Sequence, residues 1–435
     1  MGTTTLRTAE SQDTIDYGIK THVGDVSPIG PVDGMKWYHS VECTEYIRYD
    51  GAWVENGSSH VAATTMTAKP YGLVWNETAD TYSRTGDAGF TRIQAKIRRC
   101  VLDANGEVKY YLHATNSKLK ADGTPSILDG TDGNVMVEVP LTYRKYDYIT
   151  VGDVLHNNSI SSVPLEGYEP DPCFVVGGEV KQYRYYPAYL ASILNGKLAS
   201  ASGVYPQVSK TREQFRDLAR ANGEGWHTLD FLLYEFITML AIIEYGTMNI
   251  QEALGVGRTA LTGGAWVGGS YIGINGLSDG YGNGTANNTF AGDADLVDAD
   301  MSFMSYRGCE NFFGNVWRMV DGININDNKV YINRNPNSYA DDIFTGDYAD
   351  IGVTMVAANG YARKLAGSKF GFFPTSVTEG SSAVGTTDYY YQAAGARIAL
   401  VGSHASALLA AGPLCLAVLY DSGLSNVGVG SGISF

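Results

Sequence analysis

The chain has 435 residues and carries 31 lysines and arginines against 46 aspartates and glutamates, which gives a net charge of −15. Because 44% of its residues are hydrophobic and 11% aromatic, it can bury a substantial core, and an intrinsically disordered chain is excluded. The acidic balance, without a basic block, argues against nucleic acid or an anionic membrane as a partner. The 52 glycines and 30 tyrosines favour strands and ordered loops over long surface helices.

The sequence shows no targeting or membrane-spanning signal. Residues Met1 to Gln12 are polar and lack an apolar signal core. The stretch Phe231 to Ile243 is too short and too polar to span a bilayer, so no membrane insertion is expected. The cysteines are odd in number, widely spaced and without a CxxC pair, which indicates free thiols rather than a disulfide framework or a zinc site. These are Cys43, Cys100, Cys173, Cys309 and Cys415.

The first block, residues 1–85, predicts short strands and turns. Met35 to Ser40 is a predicted strand, and Tyr46 to Trp53 predicts a hairpin around the turn Asp50-Gly51. A β-rich unit of this size is too small to be stable by core burial alone, so we expect it to pair with copies of itself.

The second block, residues 86–150, predicts a small α+β module. Ile93, Ile97 and Val101 recur every four residues, which predicts an amphipathic helix. The basic residues around it form either a binding patch or a solvated helix face, and the acidic chain favours the solvated face. They are Arg92, Lys96, Arg98 and Arg99.

Strands follow in the same block. Asn105-Gly106 predicts a hairpin between two apolar runs. The alternation from Val135 to Pro140 predicts a strand, which we expect Tyr143 to Tyr148 to continue.

The third block, residues 151–435, contains the two long predicted helices. The first spans Lys210 to Arg220, with Ser209 or Thr211 as its N-cap. The second spans Leu229 to Tyr245, capped by Thr228 and ended by Gly246. Since the second helix is apolar almost all round, we expect it to be buried. Two helices followed by strands and glycine-rich loops predict an α+β fold.

Three segments of this block resemble one family. Glu310 to Gly322, which contains Asn315-Val316-Trp317, is similar to a segment of the C-type-lectin-like fold of formylglycine-generating enzymes. The ends of the predicted helix pair fit the same pattern. The segment from Gly395 to Phe435 is similar to the end of phage tail-fibre proteins, including the variable proteins of diversity-generating retroelements. The resemblance implies β-rich N-terminal modules followed by a C-type-lectin-like domain over residues 151–435, with two helices and long ordered loops.

The Asn-Val-Trp segment reads as a determinant of the fold and not as a site. Asn315 suits a turn in which its side-chain amide holds nearby backbone. Val316 and Trp317 are expected in the core, with a hydrogen-bond partner for the indole N–H. The residues of this region assigned a structural role are Asn311, Gly314, Asn315 and Trp317. The resemblance implies that Gly402, Gly412, Asn426, Gly428 and Gly432 form the framework of the C-terminal segment.

The resemblance also implies receptor-contacting positions. They are His404, Ala405, Ser406, Leu408, Leu409, Cys415, Ala417, Leu419, Tyr420 and Asp421. Relatives often carry Asn, Trp and Tyr at such positions, whereas this segment is mostly Ala, Leu and Ser. Two interpretations therefore stay open: contact with a receptor, or an apolar patch buried in a trimer or against another subunit.

No catalytic motif is apparent, and we expect no enzyme. Formylglycine-generating enzymes use cysteines near their C-terminal segment, but Cys309 and Cys415 each lack a second cysteine nearby. HExxH, P-loop and GxSxG motifs are absent from the sequence. A glycan-degrading fibre stays open, because glycosidase carboxylates have no local signature.

One acidic run is a weak candidate for a metal site. Its alternating carboxylates suit Ca²⁺, but the glycine and glutamate of an EF-hand are missing, so a solvated acidic loop is favoured over a cofactor site. The residues are Asp293, Asp295, Asp298 and Asp300.

Together these features predict a bacteriophage virion fibre protein, made in the host cytoplasm, that adheres to a host-surface receptor through its C-terminal domain. Residues 1–85 are expected to attach it to other virion tail proteins and to assemble it, as a homotrimer. Two alternatives are a tail or head fibre component without a receptor role, and a glycan-degrading tail enzyme.

Overall fold

The computed structural model describes residues 70–86, 93–262, 272–288 and 302–435, together with the backbone of the strands between residues 5 and 55 and at 292–293. The chain divides into two compact units, Met1–Thr67 and Ala68–Phe435, called unit 1 and unit 2 here. Strands make up 37% and helices 13%, and a curled sheet forms half a barrel. The fold is therefore a β-rich α+β fold.

Unit 1 holds a six-stranded sheet. Its strands are β1 (Thr5–Thr8), β2 (Ser11–Asp16), β3 (Ile19–Gly24), β4 (Lys36–His39), β5 (Thr44–Tyr49) and β6 (Ala52–Glu55). They follow one another in chain order, with β3 and β4 parallel and the other neighbours antiparallel. The predicted strand near residue 36 is confirmed as β4. The predicted hairpin is confirmed as well, since Tyr49 lies opposite Ala52 across a two-residue connection.

Unit 2 begins with strands that precede its helices. They are β7 (Tyr71–Asn76), β8 (Thr81–Thr85), β9 (Arg98–Leu102), β10 (Val108–His113), β11 (Asn116–Lys120), β12 (Asn134–Pro140), β13 (Tyr143–Ile149), β14 (Leu155–Ser161), β15 (Glu169–Pro170), β16 (Val175–Val176), β17 (Glu179–Val180), β18 (Tyr183–Pro187), β19 (Ser192–Leu194) and β20 (Lys197–Ala199).

The helices lie near the middle of the chain. They are α1 (Arg212–Arg220), α2 (Phe231–Tyr245) and α3 (Ile250–Leu254), with β21 (His227–Thr228) between α1 and α2. Short 3₁₀ helices occupy Gln94–Lys96, Pro172–Phe174, Asp279–Tyr281, Pro336–Ser338 and Leu408–Ala410. Among the described residues, no helix is both long and apolar enough to cross a membrane.

Short strands follow the helices. They are β22 (Leu261–Thr262), β23 (Ala286–Asn288), β24 (Gly292–Asp293), β25 (Phe303–Tyr306), β26 (Cys309–Glu310), β27 (Trp317–Asn326), β28 (Lys329–Ile332), β29 (Ala349–Thr354), β30 (Gly360–Tyr361), β31 (Lys364–Leu365), β32 (Pro374–Ser376), β33 (Tyr389–Gln392), β34 (Ala396–Val401), β35 (Leu416–Val418), β36 (Val429–Ser431) and β37 (Ile433–Ser434).

The sheets of unit 2 cross the block boundaries that the sequence suggested at residues 85 and 150. One sheet has the order β15-β13-β14-β7-β8, so strands from all three predicted blocks share it. A second has the order β11-β10-β9-β12-β18 and joins the second block to the third. Because this pairing is non-local, composition along the chain does not reveal it, and the chain divides near residue 67 instead.

The helix predicted from Ile93 to Val101 is wrong. A single 3₁₀ turn is followed by strand β9, whose residues from Arg99 to Leu102 are buried between β10 and β12. Ile93 and Ile97 are nevertheless buried in the core, so the apolar spacing marks core residues but not a continuous helix. Pairing of β9 on both edges overrides its helical period.

The other predictions for this region have mixed outcomes. The hairpin at Asn105-Gly106 is confirmed by antiparallel β9 and β10, with Val108 opposite Leu102. The strand ending at Pro140 is confirmed as β12. The expected continuation is wrong, because β13 leaves that sheet and pairs with β14.

Capping residues define the starts of α1 and α2. The Thr211 hydroxyl accepts from the backbone N–H of Gln214, whose side chain accepts from the Thr211 N–H in return, a capping box. Asp230, and not the predicted Thr228, caps α2 by accepting from Leu233 N–H at 2.8 Å. Gly246 ends α2 in the left-handed conformation (φ 73°), as predicted.

The main core of unit 2 surrounds α2. Its residues from Phe231 to Ile243 are all buried and pack against side chains of β7, β12, β27 and β34. The largest sheet has the order β29-β28-β27-β34-β35-β33-β30, and β36 also pairs with β27. β37 returns to pair with β21 immediately before α2. The C-terminal segment is thereby fixed to the helix region by strand pairing.

Candidate functional site

The Asn-Val-Trp segment is held by backbone and amide hydrogen bonds. Asn315 adopts a left-handed conformation (φ 64°), in which its Oδ1 accepts from Gly273 N–H at 2.8 Å and its Nδ2 donates to Gly273 C=O at 3.1 Å. The neighbouring Gly314 N–H donates to Gly402 C=O at 2.7 Å. The Gly314 bond ties the entry to β27 to the C-terminal segment, and the two side-chain bonds of Asn315 tie it to the backbone at Gly273, which supports a structural role for the amide.

The other residues assigned a structural role also lie at tight points. Asn311 has φ 46° and accepts from Met304 N–H through its side chain. A Cβ atom on Gly402 would lie 2.8 Å from Arg318 Nη1, and one on Gly412 would lie 2.1 Å from Asp388 Oδ1. Side chains at either glycine would therefore displace buried polar groups.

Trp317 is buried as expected, but the expected partner for its indole N–H is not found among the described residues. Its ring packs instead against Tyr391 at 6.0 Å and against His404 at 6.1 Å between ring centroids. Aromatic packing accounts for the placement of the side chain without that hydrogen bond.

The ten predicted contact residues divide by exposure. Three of them are buried, with at most 1% of their surface accessible, and they cannot reach a receptor: Ala405, Cys415 and Ala417. Ala417 pairs with Leu400 and Tyr391 inside the largest sheet, which explains its burial. Four are partly buried: His404, Ser406, Leu419 and Tyr420. The exposed members are Leu408, Leu409 and Asp421.

Two adjacent leucines form an apolar tip on the C-terminal segment, called the leucine turn here. Leu408 and Leu409 are 51% and 60% exposed. Leu408 also has a left-handed backbone (φ 52°), which an L-residue with a bulky side chain adopts only at a cost of about 1–2 kcal/mol. Strain of this kind persists where the surroundings enforce it, and it occurs often at functional sites.

Hydrogen bonds to the backbone hold the leucine turn. Leu408 N–H donates to Thr259 C=O at 2.9 Å, and Leu408 C=O accepts from Gln251 Nε2 at 2.8 Å and from Ala411 N–H at 3.1 Å. Gln251 lies on α3 and donates to Ala411 C=O as well, at 3.2 Å. A helix side chain therefore presents the turn in one conformation.

A polar cleft of about 430 Å³ opens beside the far end of the same segment. It lies between the start of α1, the loop at residue 340 and the loop at residue 422. Its lining residues are Thr211, Glu213, Arg216, Ala340, Asp341, Ser422 and Gly423. The sequence does not indicate this cleft, because its walls come from distant parts of the chain and no local motif marks them. The start of α1 and the loop at residue 340 are more than a hundred residues apart, and the loops at residues 340 and 422 are about eighty residues apart.

The candidate metal site falls mostly outside the described residues. Asp295, Asp298 and Asp300 lie there, and of Asp293 only the backbone in β24 is described, paired with β22. Within the described ranges, no group of three or more His, Cys, Asp or Glu side chains is arranged to hold a metal ion.

The two cysteines weighed for catalysis are fully buried. Burial raises the pKa of the Cys309 thiol to about 12, and it raises the pKa of the Cys415 thiol well above its ordinary value. Since the thiolate is the nucleophile and metal ligand, burial disfavours the reactive form of both.

The histidines of the region are kept neutral. Burial, with Arg184 nearby, lowers the pKa of His227 to about 4, and burial lowers the pKa of His404 to about 4. His227 bonds Thr228 C=O at 2.7 Å and Ser434 Oγ at 3.1 Å, which joins β21 to β37. These contacts are those of a structural histidine.

No family model matches the chain, and no curated protein matches it at a significant level.

Proposed function

We propose that this protein is a phage virion fibre protein that recognises a host-surface receptor through the C-terminal segment of a C-type-lectin-like domain. The observation that carries the proposal is the leucine turn, two half-exposed leucines presented by a strained and hydrogen-bonded backbone. A rigid contact surface loses little conformational entropy on binding. The protein acts by adhesion and not by catalysis.

Two features of unit 2 support a lectin-like domain. The segment that carries the resemblance enters the longest strand, β27, and its asparagine amide ties distant backbone together. The C-terminal strand β37 pairs with β21 at the start of the helix region. The segment that would meet the receptor is thus framed by fixed strands.

Burial of the leucine turn against a receptor accounts for binding at one site. Removing a half-exposed leucine from water contributes about 1–2 kcal/mol, so the pair contributes about 2–4 kcal/mol. A single site of this size is weak. Several copies on one virion multiply the effective concentration, and the proposal therefore includes assembly as a homotrimer.

In this proposal, unit 1 attaches the protein to the virion. Its six-stranded sheet forms a compact unit separate from the domain that meets the receptor. We assign to it the contacts with other virion tail proteins.

The direct test uses antibodies against residues 402–427 on particles of the phage that encodes the chain. The proposal predicts labelling at the distal end of the tail fibres and a block of adsorption. Labelling of the head, or labelled tails that adsorb at the normal rate, would contradict the receptor role and favour a structural fibre component.

A further inference from the structure

The polar cleft has a floor of buried, charge-balanced side chains. Arg216 is 5% exposed, and its Nε and Nη2 pair with both oxygens of Asp321 at 2.8 and 3.2 Å. Arg212, also buried, pairs through Nε with Asp341 Oδ1 at 2.5 Å, and Arg216 Nη2 reaches the same oxygen at 3.0 Å. Two guanidinium groups therefore balance two carboxylates.

The Asp321 carboxylate is ionised. Burial alone would raise the pKa of Asp321, but Arg212 and Arg216 hold it below its ordinary value. Because each arginine already has an acidic partner, the floor offers no excess positive charge to an anion. Glu213, exposed at the rim, adds a negative charge.

Hydrogen-bonding capacity remains on the groups that line the cleft. Within the described part of the chain, Arg216 Nη1 and Asp341 Oδ2 make no hydrogen bond. Neither atom is among the buried polar atoms without a partner, so both reach solvent at the cleft. The Thr211 hydroxyl accepts from Gln214 N–H and keeps its own proton to donate.

Donors and acceptors thus stand side by side on a surface without excess positive charge. A ligand that matches them must both donate and accept at adjacent atoms. Hydroxyl groups do both, and the neighbouring hydroxyls of a sugar ring present them in pairs. The volume of about 430 Å³ lies in the range of small-molecule sites and has room for about one or two sugar rings.

We infer that this cleft is a binding site for a neutral saccharide. Arg216 Nη1 donates to a ring hydroxyl, Asp341 Oδ2 and Glu213 accept from neighbouring hydroxyls, and Thr211 and Ser422 complete the contacts at the rim. Neither leucine of the leucine turn lines this cleft, and the inference stands whether or not the chain is a virion fibre.

The test is ligand-observed NMR on the full chain, with methyl glucoside, methyl galactoside and N-acetylglucosamine as neutral probes and N-acetylneuraminic acid as the anionic probe. At least one neutral probe should bind with a Kd of about 1–10 mM, the range of a few solvent-facing hydrogen bonds. The absence of binding by every neutral probe, or binding of the anionic probe alone, would overturn the inference.

Two variants locate the binding. Gly423→Trp fills the cleft and should abolish binding. The fold should accept the substitution, because only the flexible Asp421 carboxylate lies near the new Cβ, at 3.2 Å. Its matched control is Gly280→Trp, at an exposed glycine that does not line the cleft and whose Cβ would meet open space. Glu213→Ala, at an exposed position, should weaken binding about fivefold through one lost hydrogen bond. Unchanged binding in both Gly423→Trp and Glu213→Ala would overturn the location.

Discussion

The helix region and the leucine turn of unit 2 are both fixed by polar contacts, but those contacts have different consequences. Around α2, Arg144 is enclosed with Glu235 and Asp171, at 3.1 and 3.3 Å from their carboxylate oxygens, and less than 4% of any of these side chains is exposed. At the leucine turn, the polar contacts go to the backbone, and two apolar side chains are left in solvent.

The difference distinguishes the helix region, which supports the fold, from the leucine turn, which offers a contact surface. Buried charges around α2 make its position costly to change, because any partner that is removed leaves an uncompensated charge. Burial raises the pKa of Glu235 to about 7. Arg144 is the ion-pair partner of both Glu235 and Asp171. The leucine turn has no such charges, so its side chains can be replaced with little effect on the fold.

The largest expected effect comes from the buried ion cluster. Arg144→Met should reduce the free energy of unfolding by about 3–5 kcal/mol, because it leaves two buried carboxylates without a cation. Denaturant unfolding followed by circular dichroism measures the change. Lys145→Met is the control, since the side chain of Lys145 is 43% exposed, and it should stay within about 0.5 kcal/mol of wild type. Equal changes in the free energy of unfolding for Arg144→Met and Lys145→Met would contradict the stabilising role of the buried ion cluster.

Acid should weaken the helix region through His227. Its pKa is about 4 in the folded chain against 6.5 ordinarily. At this group the unfolded chain therefore binds more protons in that interval, and the contribution of His227 to the free energy of unfolding should fall as the pH drops from 6.5 to about 4. The loss attributable to this group is about 3 kcal/mol.

Unfolding at several pH values, compared between wild type and His227→Gln, isolates this contribution. The variant should lose the corresponding slope, whereas His113→Gln, at a partly exposed position, should keep the wild-type profile. His404, whose pKa burial also lowers to about 4, keeps its own contribution in both proteins. A pH profile of His227→Gln identical to that of wild type would contradict the contribution assigned to His227.

An intermediate effect is expected where the two regions meet. Gln251→Ala removes the side chain that holds the carbonyls of Leu408 and Ala411, and it should cost about 2 kcal/mol. Hydrogen exchange should show faster exchange of the Ala411 amide with little change in α2. Uniform loss of protection across unit 2 would mean that the turn is part of the core.

The smallest stability effect is expected at the turn itself. Leu408→Asn should raise the free energy of unfolding by about 0.5–1 kcal/mol, because Asn accepts a left-handed backbone more readily than Leu. Leu409→Asn, at the neighbouring position, should leave stability unchanged within about 0.5 kcal/mol. Clear destabilisation by Leu408→Asn would mean that this leucine packs inside the fold.

Local sequence signals predicted the elements that local physics determines. The helix at Thr211, the buried apolar helix ended by Gly246, and the hairpins at Asp50-Gly51 and Asn105-Gly106 follow from capping and turn chemistry. Strand β9 could not be predicted in this way, because its two neighbours in the sheet decide its conformation.

The site was less predictable than the fold. Matching positions along the segment placed Leu408 and Leu409 in the contact set, and they are exposed. The same matching included Ala417, which the sheet buries, since β35 lies between β34 and β33 and all three of its residues are buried. The polar cleft depends on α1 meeting Asp341, a contact across more than a hundred residues that no motif encodes.

Adsorption of phage that carry Leu408→Asn together with Leu409→Asn tests the central claim most directly. The fold is expected to keep or slightly raise its thermal midpoint, and the adsorption rate should fall at least about tenfold, since the lost apolar contact is about 2–4 kcal/mol per site. The control is Val427→Asn, at another exposed apolar position of the segment. Normal adsorption by the double variant, with the fold intact, would contradict a receptor contact at the leucine turn.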